Sequence, residues 1–155
     1  MPTKTLENSN SRLLLSEILR KVSNAKTKAE KIKLLQKHNS AALRQILIIN
    51  FDDSVVSIMP EGDVPYTPNE APVGTDHSRL EHEYRGLFRF FKGGDPTLKN
   101  LKREQMFVQL LEGLSDEEAE LIVLVKDGKL TNKYKRITKA VISEAFPSIE
   151  WGGRS

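Results

Sequence analysis

A chain of 155 residues, 38% hydrophobic and 29% charged, carries enough apolar material for one domain with a buried core. The absence of cysteine excludes disulfides, thiol catalysis and thiolate metal sites, and a formal charge of +3 says little about partners until its distribution is read. No apolar run approaches the ~20 residues of a membrane span, and the opening "MPTKTLENSNS" lacks the apolar stretch of a signal peptide. A cytoplasmic protein without membrane contact is expected, in the host cytoplasm if the chain is phage-encoded.

Residues 1–10 read as a flexible tail, 11–149 as one helical domain and 150–155 as a C-terminal tail. From Ser11, Leu14, Leu15, Ile18, Leu19 and Val22 fall on one stripe with the 3.6-residue period of an amphipathic helix. Thr27 and Glu30 have the spacing of a capping box and open a second helix, with Ile32, Leu34 and Leu35 inward and its lysines outward. Ser40 caps "AALRQILIINF", apolar nearly all round and so central, although Ile46, Ile48 and Ile49 also permit a strand. Residues 52–77 break the pattern. "SVVSIM" suits a short extended piece, and "PEGDVPYTPNEAPVG" holds four of the seven prolines, as a long functional or mobile loop does.

Helix returns in "SRLEHEYRGLFRFFKGG" and stops at Gly93–Gly94. Pro96 or Thr97 starts the next, with Leu101, Phe107, Val108, Leu110 and Leu111 inward. Ser115 and Glu118 form a second capping box, and three acids in that first turn suit the helix dipole. Asp127–Gly128 reads as a helix exit. The last helix runs to about Phe146, with Ile137, Val141, Ile142 and Phe146 inward, and Pro147 prevents continuation. The expected fold is all-α, a single-domain bundle of six to seven helices with a long proline-rich loop and at most one short strand pair around 47–59.

Catalytic signals are weak. Asp76, His77, Glu81, His82 and Glu83 cluster, but the two histidines are five apart and do not share a helix face as i, i+4 ligands do. No phosphate-binding glycine loop is present. Lys126-Asp127-Gly128 is one residue short of the lysyl-adenylate motif, and the 27 residues after Gly128 are too few for a nucleotide-binding domain. No enzyme activity, cofactor or metal is expected.

The charge distribution is more informative. Residues 20–37 hold seven bases and one acid, 50–83 eight acids and one base, 85–103 six bases and one acid, and 104–120 six acids and no base. Blocks of this kind give a folded chain separate positive and negative faces when they cluster in space. Between Lys126 and Lys139 the chain packs six Lys or Arg ahead of its last helix. Phosphate binding needs cations, hydroxyls and free backbone N–H groups. Lys129, Lys133, Lys135, Arg136 and Lys139, with Thr131, Thr138 and a helix start, supply all three. Lys99, Lys102 and Arg103 form a second strip, whereas the lysines of 27–38 also suit a plain solvated face.

Three stretches carry a resemblance: "LSEILRKVSNAKTKAEKIKLLQKHNSAALRQILIINFD", "LKREQMFVQLLEGLSDEEAELIVLVKDGKL" and "RITKAVISEAFPSI". Together they resemble the N-terminal DNA-binding domain of bacteriophage-type ATP-dependent DNA ligases over most of 13–149. The resemblance implies an all-α fold and contact with the duplex sugar–phosphate backbone, with little sequence reading. Its turn before the last helix usually holds a glycine, where this chain has Arg136, with Thr138 standing for the family's hydroxyl residue. No stretch corresponds to the family's adenylation and OB-fold domains, so binding without ligation is expected.

The leading expectation is a non-enzymatic binder of duplex DNA acting through Lys129, Lys133, Lys135, Arg136, Thr138 and Lys139, with Lys99, Lys102 and Arg103 in support. The alternative is a protein–protein adaptor, such as a phage accessory factor that binds a host or phage enzyme. It would present the 60–76 loop through Val64 and Tyr66 as an extended peptide. Trp151 would be either an exposed anchor or a tail packed on the last helix.

Overall fold

A computed structural model of the chain describes residues 13–69 and 77–154. Seven α-helices occur among them: α1 (Leu15–Asn24), α2 (Lys28–Lys37), α3 (Ala41–Phe51), α4 (Leu80–Glu83), α5 (Asn100–Gly113), α6 (Asp116–Lys126) and α7 (Lys139–Ala145). Two 3-10 segments, Tyr84–Phe90 and Leu130–Asn132, follow α4 and α6. The described residues contain no named strand, only isolated bridges at Ser57–Phe91 and Ser78–Leu114. The fold is an all-α bundle. The expected tail 1–10 and the loop residues 70–76 lie outside the described residues.

The core forms around α3, whose Leu43, Ile46 and Leu47 are fully buried, so the β-branched run is helical rather than a strand. Tertiary burial on several sides overrides the local preference. Against α3 pack α6 and α4 with its 3-10 continuation; α1 packs on α2 and α6, and α7 chiefly on α2. Phe90 and Phe107 meet edge to face at 5.0 Å.

Four local expectations are corrected. The segment read as one helix from Ser78 is a single α-turn continued in 3-10 form over Tyr84–Phe90. α5 begins at Asn100 rather than near Pro96, and Leu101, expected inside, is 71% exposed. Lys31, expected on the outer face of α2, is buried. Ser115 does precede α6 but makes no side-chain cap, and the Glu118 carboxylate points elsewhere. Fully buried, it accepts the Leu15 N–H at 2.9 Å and the Leu80 N–H at 2.9 Å, and so joins the starts of α1 and α4 to α6.

Other sites match the reading. Thr27, Ser40 and Thr138 cap α2, α3 and α7 by accepting N–H groups three residues on. Gly128, at φ +71°, takes the left-handed conformation at the exit of α6. Ile137, Val141, Ile142 and Phe146 are buried.

The loop after α3 is fastened over its described part. Buried Lys126 donates to the carbonyls of Pro60 (3.0 Å) and Gly62 (2.9 Å) and to Asp127 (2.8 Å). The Asp127 carboxylate accepts the Gly62 N–H at 2.9 Å, and Glu112 accepts that of Thr67 at 2.9 Å. Val64 and Tyr66 are half-buried against the core. Residues 60–69 are therefore held down on α6 and α5, where a free loop was expected. At the other end, Asp52 accepts the Gly152 N–H at 2.9 Å and an Arg154 N–H at 2.5 Å, strapping the C-terminal tail to the end of α3.

Candidate nucleic-acid interface

The basic stretch ahead of α7 is built on buried anchors. Leu130, Tyr134, Ile137 and Val141, at spacings of four, three and four, are all buried, and the intervening Lys133, Lys135 and Arg136 are exposed. Tyr134 N–H donates to the Leu130 carbonyl at 2.9 Å, and the Lys135 carbonyl accepts the Ser23 hydroxyl at 2.8 Å. The turn is thus fixed to α1 from one side and to the core from the other. Burial, reinforced by Glu120, pushes the Tyr134 phenol up to about 12. Its hydroxyl has no hydrogen-bond partner among the described residues.

Arg136 has φ +66°, the only non-glycine residue with positive φ among those described. An L-residue is held there at a cost, and such conformations concentrate at functional sites. This is also the position at which the resemblance called for a glycine.

Arg136 and Thr138 line a shallow groove of about 380 Å³ with Lys28, Lys31, Ala140 and Val141. The groove runs between the first turns of α2 and α7, which both open on Thr-Lys-Ala, at 27–29 and 138–140. A lysine in the first turn faces the positive end of the helix dipole, which disfavours it. In α2, Glu30 offsets this; the first turn of α7 has no acid. Lys31 is 4% exposed and its ammonium donates to the Ala25 carbonyl. An ammonium carries three N–H donors, of which one is used here, and Lys31 lines the groove. Lys28 pairs with Glu144 at 2.6 Å, both half-exposed, and such a pair is worth little and is readily exchanged.

The predicted residues divide accordingly. Lys135, Arg136 and Thr138 are exposed, and Arg136 and Thr138 line the groove. Lys139 is exposed, but its ammonium sits 4.9 Å above the Trp151 ring, which itself donates to Ser143 at 3.1 Å. Trp151 is therefore a packed tail residue. Lys133 is paired with Glu120, and Lys129 with Glu61 at 3.6 Å. Lys133 thus meets an acid of α6 and Lys129 one of the loop after α3, and neither lines the groove.

Arg103 is corrected outright. It is 4% exposed and donates to the carbonyls of Arg89 (2.8 Å), Asp95 (2.9 Å) and Leu98 (2.8 Å) and to Asn100 (2.7 Å). A guanidinium spent on four internal acceptors is not offered to phosphate. Lys99 and Lys102 remain exposed. Lys28 and Lys31 were passed over in the sequence because a lysine-rich helix face is commonly solvated; the repeated Thr-Lys-Ala was the available signal. No group of acids and histidines suited to a metal ion occurs among the described residues. No described helix is long and apolar enough to cross a membrane.

Helical bundle and groove together define a small all-α protein with a groove lined by Lys28, Lys31 and Arg136. The model of a family of unknown function (DUF6433) matches residues 18–132, and the chain belongs to that family. No curated protein and no solved structure matches the chain. The matched span includes the α2 side of the groove and ends just before the turn that carries Lys135 and Arg136.

Proposed function

We propose that the protein is a non-enzymatic DNA-binding protein that grips the duplex sugar–phosphate backbone in the α2–α7 groove, with little sequence specificity. The observation that carries this reading is Arg136, held left-handed at φ +66° in a groove that buried Lys31 also lines. A conformational cost and a partly satisfied buried cation converge on one open groove, and a phosphate oxygen answers both charges. The resemblance to ligase DNA-binding domains supports the same assignment. The adaptor reading draws less support, because Val64 and Tyr66 are committed to the chain's own core.

The test is titration of nicked duplex, intact duplex and single strand at two salt concentrations. With Lys28, Lys31, Lys135, Arg136 and Lys139 on about five phosphates, log K for duplex falls with log salt at a slope of about −4 to −5. Changing Lys135 and Arg136 to Ala lowers that slope by about two units and weakens all duplex sequences alike. Absence of duplex affinity at low salt, or unchanged binding by the double variant, removes the reading.

A further inference from the structure

A second basic surface lies on other elements, and an aromatic ring stands in it. Three residues per turn in the 3-10 segment put Tyr84, Leu87 and Phe90 on one side and Arg85 and Phe88 on another. Leu87 and Phe90 are buried, whereas Phe88 is 47% exposed. The Arg89 guanidinium lies over the Phe88 ring, 5.1 Å from its centroid. It crosses Gly86, where a Cβ would come within 2.8 Å of Arg89 Nη1. Exposed Lys92, Lys99 and Lys102 follow, with Leu101 between the last two. Among the described residues, none of Arg85, Arg89, Lys92, Lys99 and Lys102 makes an ion pair. The one acid within 85–103, Asp95, is turned to the N–H and hydroxyl of Thr97.

This surface is preorganised. Arg103 gathers the carbonyls of Arg89, Asp95 and Leu98 around one buried guanidinium, which fixes the end of the 3-10 segment, the following loop and the start of α5 together. Gly94 passes so close to Phe88 that any Cβ would overlap the Phe88 carbonyl oxygen.

We propose that this surface binds single-stranded nucleic acid, with a base stacked on Phe88 and the phosphates met by Arg85, Arg89, Lys92, Lys99 and Lys102. A half-exposed ring among unpaired cations is the combination that unpaired strands select, since every base has a π-face and every linkage a charge. Duplex bases are already stacked on each other and gain nothing from Phe88. The site lies within the family-matched span and does not depend on the α2–α7 groove.

The experiment is fluorescence anisotropy of the full chain with a labelled oligothymidylate of roughly a dozen nucleotides at low salt. Phe88→Ala is expected to weaken binding about tenfold, with duplex affinity and circular dichroism unchanged, and Phe88→Tyr to bind like the parent. Changing Lys99 and Lys102 to Ala lowers the single-strand salt slope by about 1.4 units. The proposal is overturned if the parent does not bind the oligonucleotide, or if Phe88→Ala binds it as the parent does. It also falls if the parent ignores the oligonucleotide and binds phosphatidylserine vesicles through Phe88. Duplex affinity, read in the same series, reports on the α2–α7 groove, so the two sites fail separately.

Discussion

At φ +66° the Cβ of Arg136 crowds the following carbonyl oxygen, at a cost of roughly 1–2 kcal/mol that glycine escapes. Glycine's larger loss of freedom on folding takes back part of that difference. Arg136→Gly is therefore expected to stabilise the fold by about 0.5–1 kcal/mol while it weakens duplex binding. Urea denaturation and a DNA titration on the same preparation check the two signs. A destabilised variant would mean that the Arg136 side chain supports the fold, and the functional account of its conformation would be lost.

Among the elements, Glu118 shows how a local motif is diverted by tertiary structure. Ser115 and Glu118 have capping-box spacing, yet the carboxylate serves α1 and α4, two helix starts distant in sequence. Glu118→Ala leaves two buried N–H groups without an acceptor and is expected to cost about 2–4 kcal/mol. Burial raises the Glu118 pKa above the ordinary 4.5, and the two N–H bonds only partly oppose it. A raised pKa means that the folded state holds the proton longer. The associated stability is full below pH 4.5 and is lost as pH rises through the folded value. The stability of the parent relative to Glu118→Gln should accordingly decline as pH increases from below 4.5, read as urea midpoints of the two proteins side by side.

The same distinction explains what the sequence made legible. Thr27, Ser40, Thr138 and Gly128 act through neighbours three or four residues away, and each was readable from spacing. The apolar anchors of α7 were readable for the same reason. Glu118, Arg103 and Lys126 act on backbone groups that only the fold brings near, and their type alone suggests a surface charge. Leu101 was placed in the apolar stripe and is exposed, because the buried side of α5 runs through Arg103, Phe107 and Leu111 and Leu101 lies off it. The groove was half legible: the turn at 135–138 stood out by composition, whereas Lys28 and Lys31 needed the packing of α7 on α2.

For the whole molecule, fastening at the periphery matters as much as the core. Burial alone would raise the Asp52 pKa, but hydrogen bonds from the Ser54 hydroxyl, the Gly152 and Ser54 N–H groups and Arg154 overrule it and hold it below the ordinary 3.8. That contribution is present above pH 3.8 and is lost as pH falls through the depressed folded value. Asp52→Asn should release residues 152–154 and cost about 1–3 kcal/mol at neutral pH, and the gap to the parent should close with acidification below 3.8. Thermal melts of both proteins at several pH values measure it. A gap that stays constant would leave the strap without an electrostatic role.

Next to the strap, Trp151 packs on α7, and the chain has no other tryptophan. Its indole lies under the Lys139 ammonium and donates to Ser143, both on α7. A phosphate that draws Lys139 away from the ring removes a cation from its face and changes the field around the excited indole. The protein thus carries an intrinsic optical probe beside its proposed duplex site. Emission from the unlabelled parent should shift on adding duplex, and Lys139→Ala should abolish the shift while leaving the indole in place.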